Sequence, residues 1–129
     1  MIGGYTSASQ GVYSIERLNV VTGLSSWEIY ELPDCANRLY PMVSPINDGQ
    51  ILIAGGQRST DLSDAFLLNL SDMTSQKVID ESLLSFKSLG CAAMHIPGQV
   101  ICIGKNFEEQ RFVVLYDAES NTLNKLHNF

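Results

Sequence analysis

Two double glycines, Gly3-Gly4 and Gly55-Gly56, each close an apolar run and lie 52 residues apart, and a third stop, Gly104, follows 49 residues after Gly55. A spacing near 50 residues is a repeat period. It restricts the chain to folds in which one supersecondary unit stacks on copies of itself. The offset of 49 also carries the turn Asp48-Gly49 onto Pro97-Gly98 and the run ILIAG (51–55) onto VICIG (100–104). A chain of 129 residues holds such a unit about two and a half times. Residues 1–37 are expected to be a partial copy, 38–86 a whole copy and 87–129 another.

Within each copy, segments of four to seven residues rich in Val, Ile, Leu, Tyr and Phe alternate with clusters of Gly, Pro, Asn, Asp and Ser. That is the pattern of a many-stranded antiparallel protein. In the second copy it predicts strands at 39–46, 51–54, 65–70 and 76–80. The first hairpin is closed by Asp48-Gly49, a pair suited to a two-residue turn with positive φ at both positions. The third copy repeats the series through 91–96, 100–104, 112–117 and 122–126. The first keeps a third strand near 12–18, a turn at 21–23 and a fourth strand at 26–31.

The second and third strands of a copy are apolar almost without alternation, so both faces of the sheet must be covered, as in sheets stacked face to face. Four-stranded sheets stacked in a ring form a propeller. A helix within 67–89, with Leu83, Leu84, Phe86 and Leu89 on one face and Ser82 as its cap, is the rival reading. The aligned segments of the other copies favour strands and turns instead.

The order Gly-Gly, apolar strand, Thr22, Trp27, Leu32-Pro33, Arg38, Asp48-Gly49, Gly55-Gly56 resembles the kelch repeat across essentially the whole chain. The resemblance implies one propeller blade of four antiparallel strands per repeat, and hence an all-β, partial kelch-type β-propeller of about two and a half blades. The later copies depart from the pattern. Ile79 and His127 stand where Trp27 would recur, Lys87 replaces Arg38, and the third double glycine reads Gly104-Lys105. Propellers close with roughly four or more blades, so an incomplete ring is expected. Its end faces would need cover from further blades or from self-association.

Composition narrows the function. Fourteen acidic residues against 8 basic ones give a formal charge of −6. The basic residues are scattered, which disfavours nucleic acid. Apolar runs of five or six residues fall far short of the roughly 20 needed to span a bilayer, and the N-terminus lacks signal-peptide character. The expectation is a soluble, cytoplasmic protein. Cys35, Cys91 and Cys102 show no CxxC spacing and read as reduced thiols. A regular hairpin at Pro97-Gly98 would set Cys91 opposite Gly104 and Cys102 opposite Ala93, which is poor geometry for a bridge.

No catalytic constellation emerges. His95 and His127 have no second ligand at metal spacing. There is no GxSxG or GxxxxGKS run, and the pairs Asp80-Glu81 and Glu108-Glu109 read as solvated loop residues. No cofactor is expected.

The loops joining the second strand to the third (5–11, 57–64 and 105–111) and the connectors 33–38 and 80–87 are longer and more polar than the opposite turns. On a blade they open on one face, where recognition normally sits. The candidate contact residues there are Arg58, Ser59, Asp61, Lys105, Phe107 and Arg111, as charge-assisted partners or an aromatic anchor. The resemblance implies a non-enzymatic platform that binds a protein or peptide, a role that kelch proteins sometimes play as adaptors. The alternative is a fragment of a propeller enzyme, of the galactose-oxidase or sugar-isomerase kind, with its catalytic residues outside this segment.

Overall fold

A computed structural model describes residues 2, 14–21, 24–58, 60, 62–79, 87–105 and 111–128. Among them the chain is all-β, with ten strands in three antiparallel sheets and almost no helix. The first sheet pairs β1 (Ser14–Val21) with β2 (Leu24–Glu31), and Ile2 adds a single bridge to Ile15. A four-residue helix, α1 (Pro33–Ala36), follows. The middle sheet runs in order through β3 (Met42–Asn47), β4 (Gln50–Ala54), β5 (Ala65–Asn69) and β6 (Ser75–Ile79). The third contains β7 (Lys87–Ile96), β8 (Gln99–Lys105), β9 (Arg111–Asp117) and β10 (Thr122–Asn128), also in chain order. No sheet closes on itself.

The expected strands are present, with shifted ends. β3 begins at Met42 rather than Leu39, because Tyr40 takes a left-handed φ of 50° and Leu39 turns aside to bridge Gln57. The helix expected as the rival within 67–89 does not form in the described residues, which are strand and turn up to Ile79 and strand again from Lys87. Residues 80–86 lie outside them.

The turns differ in type from the expectation. Neither Asp48 nor Gly49 has positive φ. Asn47 Oδ1 instead accepts a hydrogen bond from the Gly49 N–H at 2.9 Å, and the register slips between Pro45 and Asn47. A β-bulge supplies the twist that the turn itself does not. The Pro97-Gly98 hairpin does the same, with Gly98 at φ 88° and a slip between Met94 and Ile96. That bulge corrects the cysteine register. Cys91 pairs with Ile103 and Cys102 with Ala92, so the two thiols leave opposite faces of the sheet, and all three cysteines are free.

The apolar runs are explained by two cores on opposite faces of the middle sheet. Toward the third sheet, Met42, Ile46, Leu52, Ala54 and Ala65 pack with Val100, Cys102, Phe112, Val114 and Tyr116. Toward the first sheet, Ile53, Phe66, Leu68 and Met73 pack with Ile15, Cys35 and Ala36. Successive residues of β4 and β5 thus feed different cores, as the twofold period of a strand requires. Each large side chain buried this way contributes about 1.5–3 kcal/mol. The sheets also stack in the same sense, since the Gly98 N–H donates to Ile46 O at 2.7 Å and sets the β7–β8 turn beside the β3–β4 turn.

Candidate functional site

Arg38 organises the end of the middle sheet where α1, the double glycine and the β4–β5 loop meet. Its side chain is fully buried. Nη1 donates to Gly55 O at 2.7 Å and to Asp64 Oδ1 at 3.1 Å, and Nη2 donates to Asp34 O at 3.2 Å. The guanidinium lies over the Phe66 ring, 5.2 Å from its centroid. Burial lowers its pKa, and the Asp64 carboxylate opposes that shift. Its Nε has no hydrogen-bond partner among the described residues. One buried fork therefore ties the connector, the loop base and the strand end into a rigid corner, the use for which arginine is better suited than lysine.

Gly56 completes the corner. It has φ 95°, and a Cβ placed there would lie 2.6 Å from Leu39 O, so the chain passes too close for any side chain. Glycine is required here by both dihedral and space.

Over this corner opens a cleft of about 380 Å³ lined by Asp34, Arg58, Asp64, Phe66, Ser75 and Lys77. The Arg58 backbone N–H donates to Thr60 O at 2.9 Å, and its Nε to Asn37 O at 3.0 Å, which joins the loop to the connector. Lys77 Nζ approaches Asp64 Oδ2 at 3.9 Å. Acids and bases from three elements thus line one opening, with an aromatic ring in its wall.

Of the residues expected at the loop face, Arg58 lies in this cleft. Lys105 and Arg111 do not. They face each other across β8 and β9 and line a separate hollow of about 420 Å³ with Gly90, Cys91, Ile103 and Gly104. Ser59, Asp61 and Phe107 lie outside the described residues. Asp34, Asp64, Ser75 and Lys77 were not singled out from the sequence. The signal that would have found Lys77 is the strand overlay, because β5–β6 pairing sets it opposite Phe66.

Burial raises the pKa of the Cys35 thiol and pushes that of Cys102 up to about 12, so both behave as small apolar groups at neutral pH. No group of three or more His, Cys, Asp or Glu among the described residues could hold a metal ion, and no helix among them is long and apolar enough to cross a membrane. No protein-family model matches the chain, and no curated protein matches it.

Proposed function

We propose that the chain is a protein-interaction module, a partial kelch-type propeller that binds a protein or peptide through the end of the stack bearing α1 and the β4–β5 loop. Its three sheets are then a partial blade and two whole blades. The observation that carries this reading is the mixed-charge cleft of Asp34, Arg58, Asp64 and Lys77, with Phe66 and Ser75, standing on the buried Arg38 corner. Acidic and basic side chains lining one cleft, set on a buried, hydrogen-bonded corner, suit recognition of an extended peptide carrying both charges.

Selection from a peptide array followed by titration tests the reading. The double variant Arg58→Ala/Lys77→Ala should weaken the selected peptide by about tenfold or more while leaving the unfolding midpoint close to that of the parent. Undiminished binding by that variant would count against the cleft. Turnover of a substrate by the purified chain would favour the enzyme alternative.

A further inference from the structure

The stack ends on two sheet faces that no described residue covers. In the middle sheet the cross-strand pairs Leu52–Leu67 and Ala54–Ala65 point toward the third sheet. The equivalent pairs of the third sheet are Ile101–Leu115 and Ile103–Val113. These four residues belong to neither core, and Ile103 is 46% exposed. The last face is therefore the repeat equivalent of a face that is buried one sheet earlier.

The other end mirrors it. On β1 and β2, Ile15, Arg17 and Tyr30 face the middle sheet, where Arg17 Nη1 donates to Leu70 O at 2.6 Å. The intervening residues face away: Leu18 opposite Trp27, Glu16 opposite Ile29, and Val20 opposite Ser25. Trp27 is 62% exposed and Val20 73%.

Charge falls on the same edge of both faces. Glu16 and Glu31 stand where β1 begins and β2 ends, beside α1. Lys105 and Arg111 stand where β8 ends and β9 begins, the place that Gly55 to Asp64 holds in the middle sheet. Because successive sheets stack in one sense, laying the last face on the first face of another molecule brings acid to base along one edge. It also brings apolar side chains together across the middle.

We infer that the open face of β7–β10 takes the open face of β1–β2 from a second copy of this chain, head to tail, continuing the stacking already present within each molecule. The contact is heterologous, using a different face on each partner. It forms a ring if the rotation per copy closes and an open array if it does not. The inference is independent of the loop-end cleft, since neither contact face includes any of the cleft's lining residues.

Sedimentation velocity of the 129-residue chain from low to high micromolar concentration should show mass-action assembly. The emission of Trp27, its single tryptophan, should move to the blue in step. Trp27→Lys blocks the first face and Ile103→Lys the last, and each variant alone should sediment as a monomer with the parent's circular dichroism. Mixed in equal amounts they should give a one-to-one dimer and nothing larger, because each retains the face its partner lacks.

Glu31→Lys should weaken assembly by roughly tenfold or more, and adding Arg111→Glu to the same chain should restore it. A parent chain that stays monomeric throughout overturns the inference. So does a dimer formed by either blocked variant alone, which would make the contact back to back, or a charge exchange that fails to restore assembly.

Discussion

At the residue scale, the double glycine that marks the repeat has two separable reasons to be glycine. Gly56 and Gly98 both hold positive φ, 95° and 88°, but only Gly56 has a backbone atom in the space of a Cβ, whereas Gly98 meets nothing within 4 Å. Gly98→Ala should cost about 1–3 kcal/mol from the dihedral alone. Gly56→Ala should cost distinctly more, because Leu39 O is held in its bridge to Gln57 and cannot rotate aside. Urea midpoints of the two variants check this, and equal losses would show that the close approach is not what fixes Gly56. Gly55-Gly56 was legible as a stop, since β4 ends at Ala54 just before it, whereas Gly104, expected as the corresponding stop, lies inside β8 opposite Phe112. Arg38 was legible only as one letter of the resembled repeat pattern, not kept in the next copy, since its bonds to Gly55, Asp64 and Asp34 reach up to 26 positions along the sequence. Asp34 and Asp64 were visible only as members of the connector 33–38 and the loop 57–64, and Ser75 and Lys77 only through strand overlay, because what joins them is a cleft between elements.

At the scale of elements, β4 and β8 carry nearly the same apolar run and occupy equivalent places, yet they are loaded differently. β4 is buried on both faces, with Leu52 in one core and Ile53 in the other. β8 buries Val100 and Cys102 but leaves Ile103 half exposed. Leu52→Ala and Ile53→Ala should each cost about 2–5 kcal/mol, while Ile103→Ala should cost less than about 1 kcal/mol when measured where the chain is monomeric. A loss at Ile103 as large as at Leu52 would mean that something covers the last face within one molecule. The runs announced two-sided burial correctly for β4 and β5. For β8 and β9 the same letters sit on a face that no described residue covers, and a sequence pattern records what a strand is made for rather than what happens to lie on it. The bulges near Pro45 and Met94 were also hidden, since either turn sequence is compatible with more than one turn type.

At the scale of the whole molecule, carboxylates at several turns and strands are held in their charged form, which makes the fold sensitive to acid. Arg17, then Tyr30, hydrogen-bonds Glu28 and lowers its pKa. Asp117 is lowered by the Ser120 N–H and the Gln99 amide, and Asp72 by the Thr74 hydroxyl and N–H. A carboxyl depressed in the folded state contributes stability that is complete above the ordinary carboxylate range. That stability fades as the pH falls through the lowered values, because the unfolded chain takes up protons first. The urea midpoint should therefore be level near neutrality and fall below about pH 4, and Glu28→Gln should make the fall shallower. A midpoint that rose on acidification would contradict the assignment. The strand order has a further consequence. Among the described residues, every strand of a sheet pairs only with the strand before or after it in the chain. Closing each pair needs a short loop whose entropy is small, so no distant segment has to find its place before the first hairpins are formed. All-β proteins owe their slow folding to such distant pairings. Here each sheet can assemble as its residues become available, and only the docking of one completed sheet on the next spans a long stretch of chain.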